Sequence, residues 1–232
     1  MSTIKIENLS FSYHGYVKPI FENVSFSFET NWKIGLIGRN GIGKSTLFKL
    51  LLNEETYQGK IIKDVEFIKF PPNIADTSKS GIELYKELMP DGEEWKLFRE
   101  LSLLNVDENL VYREFETLSK GEQTKILLAI LFTREDGFLL IDEPTNHLDM
   151  HGRKIVSEYL KSKKGFLLIS HDRDFLDGCI NHVISINRNS IDIQSGNFTS
   201  WYENKLMKDQ FEISKNEKLR KDTVSYTHLR AH

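Results

Sequence analysis

Cysteine is nearly absent from this chain of 232 residues, with Cys179 its only thiol. One thiol cannot close an internal disulfide, so covalent stapling is excluded and a reducing cytoplasm suits the protein. Cys179 opens an apolar stretch running to Ile186, which predicts a packed core thiol. Long hydrophobic runs are also missing. The densest, Ile126 to Phe132 and Phe138 to Ile141, fall well short of the roughly 20 apolar residues a spanning helix needs, so no membrane insertion is expected. The amino terminus passes from Met-Ser-Thr straight into alternation, without the basic and apolar stretches of an export signal. Charge of one sign is not in excess either. A net charge of -3 gives no global footprint for nucleic acid, so any RNA partner must be argued from elsewhere. What remains is 39% hydrophobic and 28% charged residues, an ordinary globular composition able to bury a core.

The first thirty residues alternate apolar and polar, as in Ile4-Lys5-Ile6 and Val24-Ser25-Phe26-Ser27-Phe28, around a turn at Tyr13-His14-Gly15. That pattern predicts an antiparallel β layer. From Lys33 the style changes to a short apolar strand, Ile34 to Ile37, a glycine-rich loop and a helical run from Ser45 to Leu52, the order of a nucleotide-binding α/β core. Residues 74–116 read as a helical insertion, with turns at Gly81 and Gly92. Next come a helix over Lys120 to Phe132, a buried strand Phe138 to Ile141, a helix around Arg153 to Leu160 and a buried strand Phe166 to Ile169, the alternation of a parallel α/β sheet. Residues 1–202 form one domain by this reading. From Trp201 to Asp222 the chain is densely charged, without glycine or proline, and 203–222 reads as the start of a charged helical linker. The last ten residues, 223–232 (TVSYTHLRAH), break that pattern and resemble the translation of a sequencing-library adapter. They are set aside from the fold, and the expectation is a gene that continued beyond Asp222.

Three motifs carry chemistry. Gly38-Arg39-Asn40-Gly41-Ile42-Gly43-Lys44-Ser45 matches the eight-position phosphate-binding loop, and it lies between a strand and a helix as that loop requires. Consecutive backbone amides and the helix dipole make a concave anion site there, and glycines let the backbone approach the phosphates. Lys44 would reach the β- and γ-phosphates, Ser45 would hold Mg²⁺, and Thr46 closes the run of nucleotide-binding positions. Phe138 to Ile141 ends in Asp142 and Glu143. Two buried acids without a cation are costly, so Asp142 is expected on Mg²⁺ and Glu143 one step further, as the general base or orienter of the attacking water. Leu118-Ser119-Lys120-Gly121-Glu122-Gln123 precedes an apolar helix, and Ser119 with Glu122 also spells a capping box.

Together these three elements resemble the ABC ATPase family. Pro144-Thr145-Asn146-His147-Leu148-Asp149 after the acidic pair and Ser170-His171-Asp172 after the last apolar strand extend the likeness over residues 2 to about 222. The resemblance implies an α/β P-loop NTPase fold of the ABC type, with a mixed core sheet, and an ATPase using ATP and Mg²⁺. It places Ser119 and Gly121 in the signature motif that contacts ATP held by an opposite domain, Asp149 in the loop between the two sites, and His171 on the γ-phosphate. Tyr13 resembles the aromatic residue that stacks on adenine. The run Glu143 to Asp149 is similar to the ABC-F branch, whose members carry two ABC domains on one chain and act on ribosomes, with rRNA and tRNA as neighbours. Asn31 to Asn40, Leu103 to Asp107 and Gly196 to Phe198 look like the first domain of members that protect ribosomes from lincosamides, streptogramins A and pleuromutilins. A second ABC domain, from a missing half or by self-association, is the implied partner. The alternative is the ATP-hydrolysing subunit of a membrane transporter.

Two positions depart from the family pattern. Lys120 stands where the signature has its first glycine, and adds charge and bulk. Pro72, in Phe70-Pro71-Pro72, stands where a glutamine is usual, and can supply no side-chain ligand to a metal.

Overall fold

The computed structural model describes residues 2–15, 18–187 and 190–229. Strands β1 (Thr3–Phe11) and β2 (Phe21–Glu29) pair antiparallel, as their alternation predicts. Strand β3 (Lys33–Ile37) leads through the glycine loop into helix α1 (Lys44–Leu51). Strand β4 (Gln58–Ile62) then pairs antiparallel with the free edge of β1, giving the order β2-β1-β4.

The second sheet is mixed. Strands β5 (Glu66–Phe70), β6 (Gly137–Asp142), β7 (Phe166–Ile169), β8 (His182–Ile186) and β9 (Ile191–Ser195) join β3 in the order β5-β6-β7-β3-β8-β9, parallel except for β9 at the edge. Strand β7 is apolar at every position, and β6 from Phe138 to Ile141, because both faces of the sheet are covered there. Phe138, Leu140, Leu167 and Ile184 face α1 and the antiparallel layer, in one core with Leu47 and Leu50. Leu139, Ile141, Leu168 and Val183 face the opposite core. That core is completed by α4 (Lys120–Phe132), α5 (Met150–Ser162) and α6 (Arg173–Cys179).

The insertion is helical, as expected: α2 (Gly81–Leu88) and α3 (Glu94–Leu103) are followed by 3-10 turns at Glu108–Tyr112 and Phe115–Thr117. One expected turn is corrected. Gly81 is the first residue of α2, behind a Ser80–Glu83 capping box, and it is glycine because a Cβ there would lie 3.2 Å from the Val111 backbone. A buried charge ties the insertion to the core. Glu100 of α3 accepts from Tyr159 Oη at 2.6 Å and pairs with Lys163 at the end of α5. Burial pushes its carboxyl upward, and the bonds from Lys163 and Tyr159 outweigh that and hold it below its usual range.

Cys179 is buried, its Sγ 3.2 Å from the Phe175 carbonyl, and burial pushes the thiol up to about 12, so it is inert packing. The final helix α7 (Phe198–Leu229) starts five residues before the expected 203 and runs unbroken across that boundary into the last ten residues. Positions 230–232 lie outside the described residues. Its start is fixed to the domain by Thr199 N–H donating to Asp177 Oδ1 at 2.8 Å and by buried Phe198. Among the described residues, no helix is long and apolar enough to cross a membrane.

Candidate active site

The loop from Gly38 to Ser45 turns between the carboxyl end of β3 and the start of α1. Gly41 and Gly43 have φ of +77° and +116°, and Gly43 caps α1. A side chain at Gly43 would be strained twice, since its Cβ would also lie 2.6 Å from Ile20 and 3.1 Å from Phe21. Lys44 Nζ donates to the carbonyls of Gly38 at 2.9 Å and Arg39 at 3.4 Å, so the lysine lies across the mouth of its own loop. The first turn of α1 carries no acid, which leaves its positive end for an anion.

Asp142 ends β6, and Glu143 follows in a left-handed conformation with φ of +48°, its N–H donating to Ile169 O at 2.9 Å. A non-glycine residue in that region costs on the order of 1 kcal/mol and marks a site under functional constraint. The strain turns the side chain inward. Glu143 Oε1 is buried and meets no hydrogen-bond partner among the described residues, and His171 Nε2 stands 3.5 Å away. Burial raises Glu143, partly offset by the charge of His171. Burial also raises Asp142, and Lys69, Lys44 and His171 pull it back in that order. Lys44 is lowered by burial against the pull of both acids. Two carboxyls are thus held where ionisation is disfavoured until further positive charge arrives.

The donor set suits a hard cation. No group of three or more His, Cys, Asp or Glu that could hold a metal occurs among the described residues. An ion at Ser45 and Asp142 would therefore take its other oxygen ligands from phosphate and water, the coordination habit of Mg²⁺. Tyr13 lies beside the first turn of α1, its Oη 3.4 Å from Thr46 Oγ1 and its ring edge-on to Phe11 at 4.8 Å, with Lys49 Nζ 5.8 Å from the centroid.

Ser119 and Gly121 are not brought to this cluster. They line a separate cleft of about 530 Å³ with Asn105, Asp107, His147 and Asp149. Ser119 caps α4 with its hydroxyl 2.7 Å from Glu122 Oε2, and a Cβ at Gly121 would sit 3.2 Å from the His147 carbonyl. Asp149 caps α5 by accepting from Gly152 N–H at 2.7 Å. Lys120 folds back along α4, Nζ 3.0 Å from Gln123 Oε1, so in this arrangement its charge lies along the helix.

Three features escaped the sequence reading. The cleft of about 740 Å³ at Gly38, Arg39, Lys44 and His171 is lined on one side by Trp201 and Tyr202 at the end of the expected domain and by Lys205, which reads as linker. Arg173 lies beside the stacked rings of Phe198 and Tyr202, its Cζ 5.6 and 5.4 Å from their centroids. Lys69 is the third, and the one sign of it was a lone lysine in an otherwise apolar strand end, before Pro71-Pro72.

A family model described as ABC transporter matches residues 21–146. The chain is 27% identical over 213 residues to ABC transporter F family member 5 of Arabidopsis thaliana, covering 88% of this chain and 30% of that protein. It is 31% identical over 189 residues to the ribosome protection protein VmlR of Bacillus subtilis, covering 76% and 33%. It is 32% identical over 237 residues to the ATP-binding protein Uup of Buchnera aphidicola, covering 94% and 38%. The chain therefore spans about a third of the length of these curated relatives. Among solved structures, a dimeric post-hydrolysis ATP-binding cassette bound to ADP and Pi superposes with a TM-score of 0.70 at 15% identity, over 83% of this chain and 98% of that one, which speaks for the fold.

Proposed function

Because the chain belongs to the ABC transporter family of ATP-binding domains, with an ATPase site and relatives in the F branch, we propose that it is one half of a tandem ABC-F protein acting on the ribosome. The observation that carries this is the division of the site. Gly38, Arg39, Ile42, Lys44 and His171 line one cleft, with Glu143 3.5 Å from His171 and Asp142 next to it in the chain, whereas Ser119 and Gly121 line another. Each half-site is complete only against a second ABC domain, a missing half or another copy.

In the proposed mechanism the loop amides bind the phosphates, and Lys44 exchanges the carbonyls of Gly38 and Arg39 for phosphate oxygens. Ser45 and Asp142 would hold Mg²⁺, which supplies charge neutralisation at the β- and γ-phosphates. Glu143 takes the proton of the attacking water or orients it at Oε1, and its left-handed backbone fixes that direction. His171, 3.5 Å away, contacts the γ-phosphate from the loop after β7. Tyr13 stacks on adenine above Thr46. Closure of two domains brings the opposite Ser119 and Gly121 onto the nucleotide, and hydrolysis reopens them. Residues 1–202 are the ATPase domain and 203–222 begin the linker, in a cytoplasmic protein.

The similarity to VmlR, named for ribosome protection, and to two further proteins over most of the chain supports the F branch over a transporter subunit. Protection of ribosomes from an antibiotic is the finer proposal. In the full-length protein, Glu143→Gln should sediment with ribosomes in ATP, and Lys44→Ala should not. Equal sedimentation of both variants, independent of nucleotide, would sink the ribosomal mechanism.

A further inference from the structure

Lys69 lies on the strand beside the one that ends in the acid proposed to hold the metal, and nothing in the mechanism above uses it. Strands β5 and β6 pair Lys69 with Leu140 and Phe67 with Phe138. Alternation along a strand then puts Phe67, Lys69, Phe138, Leu140 and Asp142 on one face of the sheet. Phe67, Phe138 and Leu140 lie in the core under α1, and the Phe67 and Phe138 rings are 6.1 Å apart. Asp142 therefore sits one strand over and two residues further along from Lys69, with Cα atoms roughly 8 Å apart by ideal sheet spacing, within a lysine's reach. Residues 71 and 72 are both proline, so the two positions following β5 offer no side-chain donor at that edge.

The Lys69 side chain is 38% exposed and pairs with Glu54, just beyond α1, Nζ to Oε1 3.4 Å. Its charge heads those that counter the burial of Asp142, ahead of Lys44. The ammonium thus pairs with an acid that has solvent around it, on the face of the sheet it shares with the more enclosed Asp142.

We propose that Lys69 is a positioning residue that competes with the divalent cation for Asp142, stabilising metal-free nucleotide and raising the metal concentration the site requires. This rests on the nucleotide-site reading above. Without metal, Asp142 repels the γ-phosphate, and Lys69 offsets that repulsion. With metal, the same ammonium repels the incoming ion, and its pairing with Glu54 draws it away from Asp142. The two effects have opposite signs. A lysine that merely packs β5 would shift both in one direction.

The test is titration of the whole chain with a fluorescent ATP analogue, first in EDTA and then across a magnesium series. At the half-exposed separation involved, the expected changes are roughly three- to tenfold. Lys69→Met weakens metal-free binding by that factor and lowers the half-saturating magnesium concentration by a similar one. Lys69→Arg restores both. Glu54→Gln, which releases the lysine toward Asp142, raises the magnesium requirement instead. Thermal melting checks that each variant is folded. Unchanged values for Lys69→Met, or a shift of both in the same direction, overturn the proposal. If the unsubstituted chain binds no nucleotide, the underlying site reading fails first.

Discussion

Glu143 Oε1 lies 3.5 Å from His171 Nε2, buried and without a hydrogen-bond partner among the described residues, at the end of a strained strand-to-loop step. An acceptor left open beside a histidine is set for a proton that arrives with the reactants. Glu143→Gln keeps the shape and removes the base. ATP turnover should fall by about 10²- to 10⁴-fold, the usual worth of a general base, with nucleotide affinity preserved. Steady-state phosphate release and equilibrium binding, measured on the same preparations, check both halves.

The same enclosure has a stability consequence. Asp142 and Glu143 are raised by burial. A carboxyl whose folded pKa exceeds its unfolded one adds stability that is fully present below the unfolded value and is lost as pH rises through the folded one. At neutral pH and without nucleotide, the acids therefore oppose folding. Asp142→Asn should melt higher than the unsubstituted chain by about 1–4 °C at pH 7, taking roughly 0.5–1 kcal/mol for a partly solvated group, and the gain should vanish near pH 4. Catalysis runs the other way with acid. Turnover should be lost as pH falls through the Glu143 value, which burial raises.

Lys44 bridges the carbonyls of Gly38 and Arg39 in the nucleotide-free loop, which is replaceable by water. Lys44→Ala should leave the melting temperature within about 2 °C while abolishing nucleotide binding, since surface-type substitutions fall within roughly 0.5 kcal/mol. Gly43→Ala should lose both. The loop needs φ of +116° there, and Ile20 and Phe21 close over the vacant Cβ position.

The buried Glu100–Lys163 pair joins the insertion to α5. Lys163→Met alone should cost about 3–5 kcal/mol, because it strands a buried carboxylate. Lys163→Met with Glu100→Leu should cost less than that single change. Glu100 has its folded pKa held below the unfolded one, so its stabilisation is present above the unfolded value and is lost as pH falls through the depressed one. Urea denaturation of the four chains at pH 7 measures the cycle.

Much of this was legible in the sequence for local reasons. The phosphate loop, the strand ending in Asp142 and Glu143, and the Ser119–Glu122 cap are short runs whose spacing states their geometry. The parallel core of the sheet followed from apolar strands alternating with helices, and its mixed character only from the family resemblance. Long-range placement was not legible. Gly81 reads as a turn until the Val111 backbone is seen against it. Lys69 reads as solvent until β5 pairs with β6. Lys205 reads as linker until α7 is seen to line the cleft at the loop, because nothing in a charged helix says which face is covered.

The most direct measurement is ATP turnover per chain as the chain concentration is raised, in magnesium, for the unsubstituted protein and Glu143→Gln. If Ser119 and Gly121 complete a site on another copy, turnover per chain rises with concentration, and Glu143→Gln stays near background throughout. Turnover per chain that is independent of concentration, or that survives Glu143→Gln, would contradict the account.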